Sequence, residues 1–274
     1  MHVACVQPKI FPTREECYLQ LEALIKELLE EHQKPDIICL PERWVPLNLD
    51  IEKNFQLERG PDYLFIKELA KKYKINILSG AIWEKRIEKQ DEKNYITCYF
   101  FDSKGEEIGR QDKIHLYTYE LKYFQPGKEL KIFKFKNYSF AILICFDMAF
   151  YETPRLAAEN GADLLISPTQ IREEGLYNWN IYLQARALEN RIPVMACNTV
   201  GTIKLQNIRK FLGKSKIISF ENGAITPSKL IIKEGPPNSG YIYDNIDLIF
   251  PRKLRKYRLK EKIDEKNIKI LKLS

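Results

Sequence analysis

The chain has 274 residues, of which 45% are hydrophobic, 12% aromatic and 30% charged. This composition supplies enough apolar surface for a large buried core and excludes an intrinsically disordered chain. The longest unbroken apolar run, residues 140–146, is much shorter than the roughly 20 residues that span a bilayer. The N-terminus shows no secretory signal pattern. We therefore predict a cytoplasmic protein with no membrane partner.

The net charge of +7 is concentrated in one segment at the C-terminus. Residues 251–274 contain ten Lys or Arg and three Asp or Glu, so residues 1–250 carry balanced charge. A nucleic-acid-binding domain places its basic excess on a folded face, usually with aromatic residues for stacking. We therefore predict no nucleic-acid partner. The basic tail is predicted to be solvated or to contact a second subunit, with weak binding to an acidic surface as the alternative.

Apolar runs typical of strands alternate with amphipathic helical patterns along the chain. In chain order, the sequence predicts a strand at 3–7, a helix at 14–33, a strand at 36–42, a helix at 62–73, a strand at 75–83, a hairpin at 94–113, a second hairpin at 129–146, a helix at 152–160, a strand at 163–167, a helix at 177–190, and strands at 193–198, 215–220, 229–233 and 241–248.

Strands that are apolar on both faces and interleaved with helices are typical of a layered α/β protein, and the hairpins imply mixed sheets. No linker rich in Pro, Gly or Ser and no internal repeat divides residues 1–250. We predict one domain over residues 1–250, followed by the basic tail at 251–274. The predicted fold is a four-layer α-β-β-α sandwich with mixed sheets.

Metal and nucleotide motifs are missing from the sequence. The six cysteines lie at least twelve residues apart, and the histidines form no cluster with ligand spacing. The GKS at residues 213–215 lacks the upstream glycine of a phosphate-binding loop, and no G-x-G occurs. We predict no metal and no cofactor.

Three chemically useful side chains lie at the ends of predicted strands. Cys145 ends the most apolar strand, Glu42 ends the strand at 36–42, and Lys113 ends the second strand of a hairpin. Strand ends meet at one edge of an open α/β sheet, where active sites form. Each residue alone also fits an ordinary structural role, as a core thiol or a solvated charge.

Together, these three side chains meet the requirements of amide hydrolysis. A carboxylate such as Glu42 can take the thiol proton of Cys145, pass it to the leaving amine and later activate water. The Lys113 ammonium can stabilise the tetrahedral oxyanion together with the backbone N–H of Phe146. No histidine is required.

The trio and the segments around it resemble the nitrilase (carbon–nitrogen hydrolase) superfamily over nearly the whole chain. The matching segments are VACVQ at 3–7, LPE at 40–42, DKIHL at 112–116, ICFDMAFYE at 144–152, RLAAENGADLLISPT at 155–169, ARALENRIPVMACNTVG at 185–201 and GKSKIISFENG at 213–223. The resemblance implies that residues 1–250 form a carbon–nitrogen hydrolase domain with an α-β-β-α fold, assembled into homodimers or larger homo-oligomers.

The resemblance also implies an activity and four catalytic residues. The expected reaction cleaves a non-peptide carbon–nitrogen bond of a small amide through a cysteine thioester and releases ammonia. Glu42, Lys113 and Cys145 are the expected catalytic trio. Glu120, which precedes KYFQPG in the sequence, is expected to orient Lys113 and the substrate amide. A solvent-facing loop glutamate is the alternative for Glu120.

Several further residues are candidates for binding the substrate. The candidates for the pocket lining are Phe146, Trp44, Thr169 and Trp179, although aromatic core packing explains such residues as well. Members of the superfamily that act on dicarboxylate monoamides often carry Arg four residues after the cysteine, and this chain has Ala149 there. Arg172 is the candidate replacement. Without an arginine at residue 149, the sequence favours a neutral small aliphatic or aromatic amide.

Three other functions remain open at this point. Nitriles and N-carbamoyl compounds can be cleaved by the same Glu-Lys-Cys trio. A binding protein on this fold that has lost catalysis is a second alternative, although the presence of the whole trio argues against it. The third is a papain-like pair of Cys145 and His115, for which the sequence offers no clear partner to orient the histidine.

Overall fold

The computed structural model describes residues 1–204, 208–223, 229–263 and 267–272 of the chain. Its strands are β1 (His2–Gln7), β2 (Ile37–Cys39), β3 (Gln56–Leu57), β4 (Ile77–Leu78), β5 (Ile82–Glu88), β6 (Asp91–Phe101), β7 (Glu107–Asp112), β8 (Ile132–Phe135), β9 (Tyr138–Ile142), β10 (Leu164–Thr169), β11 (Val194–Asn198), β12 (Val200–Lys204), β13 (Ile208–Leu212), β14 (Lys216–Phe220), β15 (Leu230–Glu234) and β16 (Gly240–Asn245). Its α-helices are α1 (Arg14–Glu31), α2 (Pro61–Tyr73), α3 (Glu152–Glu159), α4 (Leu176–Asn190) and α5 (Ile249–Glu261).

The strands form two large mixed sheets and a separate hairpin. The first sheet has the order β16-β1-β2-β4-β6-β5-β3, with β7 paired to β6. The second has the order β15-β14-β11-β10-β9-β8. Strands β12 and β13 pair with each other in a small two-stranded sheet. Parallel pairs such as β1–β2 and β9–β10 lie beside antiparallel pairs such as β5–β6, so both sheets are mixed, as predicted.

Alternating side chains of the strands face two different apolar layers. In β1, Val3 and Cys5 contribute to the cluster between the two sheets, whereas Ala4 and Val6 pack with residues of α1 and α2. This is the two-residue period of a strand that is buried on both faces. A third cluster joins the second sheet to α3 and α4. The four-layer α-β-β-α sandwich predicted from the sequence is therefore confirmed.

The local sequence explains how α1 begins. Thr13 precedes the helix and accepts a hydrogen bond from the backbone N–H of Glu16 at 3.3 Å, while the Glu16 carboxylate accepts from the backbone N–H of Thr13 at 3.2 Å. This reciprocal capping box pairs donors that a helix N-terminus otherwise leaves unpaired. The apolar stripe of the helix, including Leu21, Ile25 and Leu28, is buried against the first sheet.

Several regions differ from the predicted elements, and strand β3 and helix α5 were not predicted. The strand predicted at 75–83 is divided into β4 and β5, because Gly80 between them has φ of +69° and any side chain there would collide with the Pro41 carbonyl and the Trp44 ring. The hairpin β12–β13 was not predicted, although its neighbouring strands were.

Among the described residues, no helix combines the length and hydrophobicity that crossing a bilayer requires.

The C-terminal segment begins as a helix docked on the second sheet. Helix α5 starts at Ile249, so the predicted boundary between residues 250 and 251 lies inside it. Leu254 is buried, and the Arg255 guanidinium donates at 2.7 Å to the buried carboxylate of Asp163. Arg252 donates to the same carboxylate. The first part of the basic segment is therefore anchored to the domain, and its contact with a second subunit stays a prediction.

Candidate active site

The predicted trio comes together where β2, β7 and β9 end. Lys113 directly follows β7, and its Nζ lies 2.7 Å from Glu42 Oε1 and 2.9 Å from the Glu120 carboxylate. All three side chains are almost fully buried. Glu42 also lies close enough to Cys145 to raise the pKa of its thiol. The structure thus places Glu42, Lys113, Glu120 and Cys145 in one cluster.

Cys145 has a backbone conformation that ordinary residues avoid. Its φ is +48°, in the left-handed region, at the start of a short 3-10 turn, Cys145–Ala149, that follows β9. For a residue with a side chain this region costs about 1–2 kcal/mol, and such strain accumulates at functional sites. The turn places Cys145 beyond the end of β9, at the cavity, while Ile144 before it is fully buried in the core. The predicted strand end is therefore a sharp strand-to-turn junction.

The surroundings of Cys145 favour the neutral thiol in the free protein. Burial and the negative charge of Glu42 raise the pKa of the Cys145 thiol well above its usual value, although Lys113 and a hydrogen bond from the Gln170 backbone act in the opposite direction. A thiol with a raised pKa is a poor nucleophile until a base removes its proton. The contact with Glu42 supplies a base at the required position.

Lys113 is held in its charged form. Burial disfavours an ammonium, but the charges of Glu42 and Glu120 and the hydrogen bond to Glu42 outweigh that effect and raise the pKa of Lys113 well above its usual value. An ammonium has three N–H donors. Two of them are directed to Glu42 and Glu120, which leaves one donor for a ligand.

Glu120 is positioned by its own loop. It begins a short 3-10 turn, Glu120–Lys122, and its Oε2 accepts a hydrogen bond from the backbone N–H of Tyr117 at 2.7 Å. Burial raises the pKa of Glu120, with the Lys113 charge opposing that shift and the Glu42 charge adding to it. Glu120 is 4% exposed, so the alternative of a solvent-facing loop glutamate does not describe this structure.

Asp147 is a site residue that the sequence analysis did not identify. It is fully buried, and its carboxylate accepts hydrogen bonds from the backbone N–H groups of Ile144 and His115, at 2.9 and 2.7 Å. It thereby joins the turn of Cys145 to the loop of Lys113. The available signal was its place two residues after the cysteine, in an otherwise apolar segment.

His115 contacts Asp147 rather than the candidate nucleophile. Its Nδ1 lies 3.0 Å from Asp147 Oδ1, and its ring stacks on Phe150 with 4.2 Å between centroids. The partner that the sequence analysis could not find for the histidine is therefore Asp147. The charged neighbours that affect the Cys145 thiol, by contrast, are Glu42 and Lys113.

A cavity of about 670 Å³ opens beside the cluster. Phe146, Arg172 and Trp179 line it, as predicted for pocket residues, and so does Ala149. The lining also contains residues that the sequence analysis did not identify, among them Trp83, Tyr117, Tyr119, Tyr182, Arg209 and Phe211. They come from elements far apart in the chain, which sequence patterns do not bring together.

Two predicted pocket residues have other positions, and that expectation is corrected here. Trp44 packs in the apolar layer between the first sheet and α1 and α2, and its indole N–H donates to the Ser79 carbonyl at 2.8 Å. Thr169 is fully buried, and its hydroxyl donates to the Cys197 carbonyl at 3.1 Å. The Thr169 carbonyl accepts from the backbone N–H of Glu42 at 3.2 Å. Both residues are buried in the core near site residues, and neither lines the cavity.

Comparisons of the sequence with known proteins agree on one family. A model of the carbon–nitrogen hydrolase family matches residues 2–230. A probable nitrilase of Schizosaccharomyces pombe is 31% identical over 263 residues, which cover 93% of this chain and 92% of that protein. A 2-oxoglutaramate amidase of Bacillus subtilis is 29% identical over 225 residues, which cover 80% of this chain and 81% of that protein.

Solved structures share the fold at lower identity. The crystal structure of Saccharomyces cerevisiae Nit3, described as a member of branch 10 of the nitrilase superfamily, superposes with a TM-score of 0.79 at 24% identity, covering 98% of this chain and 97% of that one. A glutamate-to-leucine mutant of an amidase from Nesterenkonia sp. AN1, whose active-site cysteine carries the acetamide moiety of fluoroacetamide, gives a TM-score of 0.72 at 20% identity, covering 95% of this chain and 96% of that one. At these identities the similarity concerns the fold.

Proposed function

Because the chain belongs to the carbon–nitrogen hydrolase family of the nitrilase superfamily, we propose that it is an amidase that hydrolyses a small amide through a thioester on Cys145. The observation that supports this most strongly is the burial of Lys113 between two carboxylates beside a cysteine in a strained turn. That arrangement supplies a nucleophile, a base and an oxyanion donor in one cavity.

In the first half of the proposed reaction, Glu42 takes the proton of Cys145 as Sγ attacks the amide carbon. The raised pKa of the thiol means that this proton leaves as substrate arrives, rather than from a resting thiolate. The third N–H of Lys113 and the backbone N–H of Phe146 then bind the oxyanion. Glu42 returns the proton to the nitrogen, the carbon–nitrogen bond breaks, and ammonia leaves a thioester on Cys145.

In the second half, water replaces ammonia. Glu42 takes a proton from water as its oxygen attacks the thioester carbon, and the same donors hold the second oxyanion. The carbon–sulfur bond then breaks, Glu42 gives its proton to the sulfur of Cys145, and a carboxylic acid is released. One carboxylate thus acts as base and acid in turn, which fits its contacts with both Lys113 and Cys145.

Glu120 favours an amide over a nitrile as substrate. A primary amide has N–H donors, which a carboxylate oxygen can accept, whereas a nitrile has none. The Glu120 carboxylate lies 2.9 Å from Lys113 Nζ and hence beside the expected oxyanion position. Relatives named as amidases, including the 2-oxoglutaramate amidase and an omega-amidase of S. cerevisiae that is 26% identical, support the same choice. Nitriles and N-carbamoyl compounds remain the second candidate class.

The assembly and cellular location are part of the proposal. Homodimers or larger homo-oligomers in the cytoplasm, with a small molecule as the only other partner, fit the family. We also propose that the reaction needs no cofactor, since the three reacting groups are side chains of this chain.

The test is ammonia release from short amides, nitriles and N-carbamoyl compounds, with Cys145→Ala alongside. We expect turnover of amides that Cys145→Ala abolishes, while Cys17→Ala, which removes a buried cysteine of α1 remote from the cavity, keeps it. His115→Gln distinguishes this mechanism from a Cys145–His115 pair. Turnover should stay near normal if Glu42 is the base, and should be lost if His115 is the base. Turnover that survives in Cys145→Ala contradicts the proposal.

A further inference from the structure

The cavity extends well beyond the catalytic cluster. Its volume of about 670 Å³ lies in the range of pockets that bind drug-sized ligands. A primary amide group placed at Cys145 fills only a small part of it. The rest of the lining therefore contacts the remainder of the substrate and determines which amides bind.

Charged side chains outside the catalytic cluster make this second region positive. The catalytic side chains of the lining, two glutamates and one lysine, sum to one negative charge. Arg172, Arg209 and Glu174 also line the cavity and sum to one positive charge. The lining outside the catalytic cluster therefore carries a net positive charge.

Arg209 is the cation that is most available to a ligand. It lies on β13 between the exposed residues Ile208 and Lys210, and like Phe211 it lines the cavity. In the parts of the chain that the structure describes, Arg209 has no carboxylate partner. Arg172 forms an ion pair with Glu174 at 3.6 Å, and the two side chains are 38% and 71% exposed.

The lining of the same cavity also includes a buried donor without a partner. Trp179 is 3% exposed and lines the cavity, and its indole N–H has no hydrogen-bond partner among the described residues. Buried N–H groups in native proteins are nearly always paired, because an unpaired donor destabilises the folded state. A ligand that brings an acceptor into the cavity would satisfy this donor.

We propose that the substrate carries a carboxylate at the end remote from the amide, bound by Arg209 and by the indole N–H of Trp179, with Arg172 as the second cation of the same cavity lining. A guanidinium binds a carboxylate with two parallel hydrogen bonds, and an added neutral donor fixes its orientation. This inference rests on the proposed amidase function and specifies its substrate class. It replaces the neutral amide that Ala149 suggested, since the cation comes from β13 instead of the turn after Cys145.

The test compares two amides that differ only at the remote end. One is the monoamide of a five-carbon dicarboxylic acid, and the other is pentanamide. We expect the wild-type protein to hydrolyse the acid amide with kcat/KM about 10-fold or more higher. Arg209→Gln should lower kcat/KM for the acid amide about 10-fold and change that for pentanamide less than about 2-fold. Trp179→Phe should act in the same direction with a smaller effect.

Lys210→Gln is the matched control, because it removes an exposed cation from the neighbouring position of the same strand, and both amides should be unaffected. Arg172→Gln provides a second variant if Arg209→Gln fails to fold. A wild-type protein that prefers pentanamide, or an Arg209→Gln variant that loses both amides equally, overturns the inference.

Calorimetric binding to Cys145→Ala separates this inference from the proposed function. Tighter binding of the acid amide than of pentanamide supports the carboxylate site, whether or not either amide is hydrolysed. If the acid amide binds more tightly but neither amide is hydrolysed, only the amidase proposal is overturned. Turnover of pentanamide without tighter binding of the acid amide leaves the amidase proposal standing and overturns the carboxylate site.

Discussion

Asp147 and His115 connect the two loops that carry the candidate nucleophile and the candidate oxyanion donor. The Asp147 Oδ1 accepts a hydrogen bond from the backbone N–H of His115 at 2.7 Å, while Oδ2 accepts from the backbone N–H of Ile144 at 2.9 Å. His115 lies two residues after Lys113, and Asp147 two residues after Cys145. The carboxylate therefore sets the separation of two reacting side chains without being one of them.

Replacing this carboxylate tests its positioning role. Asp147→Asn keeps the shape but puts an N–H₂ group against backbone donors, so we expect the free energy of unfolding to fall by about 1.5–3 kcal/mol. We expect kcat to fall about 10-fold or more, with a smaller change in KM, because the substitution misaligns the reacting groups. Urea unfolding measures the change in the free energy of unfolding, and initial rates measure kcat and KM.

Asp50→Asn is the control for that variant, since Asp50 is an exposed carboxylate and its replacement should change stability by less than about 0.5 kcal/mol. An Asp147→Asn protein with wild-type kcat would show that this contact has no part in alignment.

The second prediction concerns the pH dependence of Cys145 alkylation by iodoacetamide. Burial and Glu42 raise the pKa of the thiol, and only the thiolate reacts, so the rate should rise through the alkaline range with no plateau near neutral pH. Glu42→Gln removes a negative neighbour and should move the curve to lower pH. Lys113→Met removes a positive one and should move it to higher pH.

Mass spectrometry of the Cys145 peptide follows this alkylation, with Cys145→Ala as the control for other thiols. The remaining five cysteines are buried, so they should react slowly in the folded protein. A rate that levels off near pH 7 in the wild-type protein would mean that the resting thiol is ionised.

The third prediction concerns stability. Lys113→Met leaves Glu42 and Glu120 buried without their cation, which should lower the free energy of unfolding at pH 7 by about 3–5 kcal/mol. Burial already raises the pKa of Glu120, and the loss of Lys113 raises it further. The native variant then holds a proton more tightly than the unfolded chain, so its deficit relative to the wild type should shrink as the pH falls from 7 towards 5.

Urea unfolding at several pH values measures this deficit. Lys53→Met is the control, because Lys53 forms an exposed ion pair with Asp50 at 3.9 Å, and such pairs contribute about 0–1 kcal/mol. A Lys113→Met deficit that stays constant between pH 7 and pH 5 would contradict the account of paired buried charges.

The fold and the catalytic cluster follow from short-range features of the sequence. Apolar runs and helical stripes determine the layers, because burial on one or both faces imposes the period of a strand or helix. Glu42, Lys113 and Cys145 were found because each lies at a strand end and because the chemistry needs all three together. These signals are local, and a single sequence contains them.

The residues that the sequence analysis missed or misplaced depend on long-range packing. Arg209 lines the cavity on a hairpin whose short strands interrupt their apolar residues with polar or charged ones. Asp147 acquires its importance only when two distant loops meet. Trp44 and Thr169 lie next to site residues along the chain but face away from the cavity. A one-residue step along a strand reverses the face that a side chain occupies.

The fourth prediction concerns the C-terminal segment. Beyond the anchored turn of Arg255, the apolar residues Tyr257 and Ile263 are 64% and 66% exposed, which suits a contact with a second subunit. Deletion of residues 258–274 should therefore lower the mass of the assembly in solution, measured by light scattering, while Asp163 keeps the start of α5 in place. An unchanged mass would contradict this role.

The central claim is that Cys145 carries the acyl group of the substrate during turnover, with Glu42 moving the protons. Rapid quenching during hydrolysis of the five-carbon acid amide, followed by mass spectrometry of the intact protein, measures it most directly. We predict a mass increase equal to the acyl group, located on the Cys145 peptide and absent in Cys145→Ala. Steady turnover by Cys145→Ala with no acylated protein would contradict the claim.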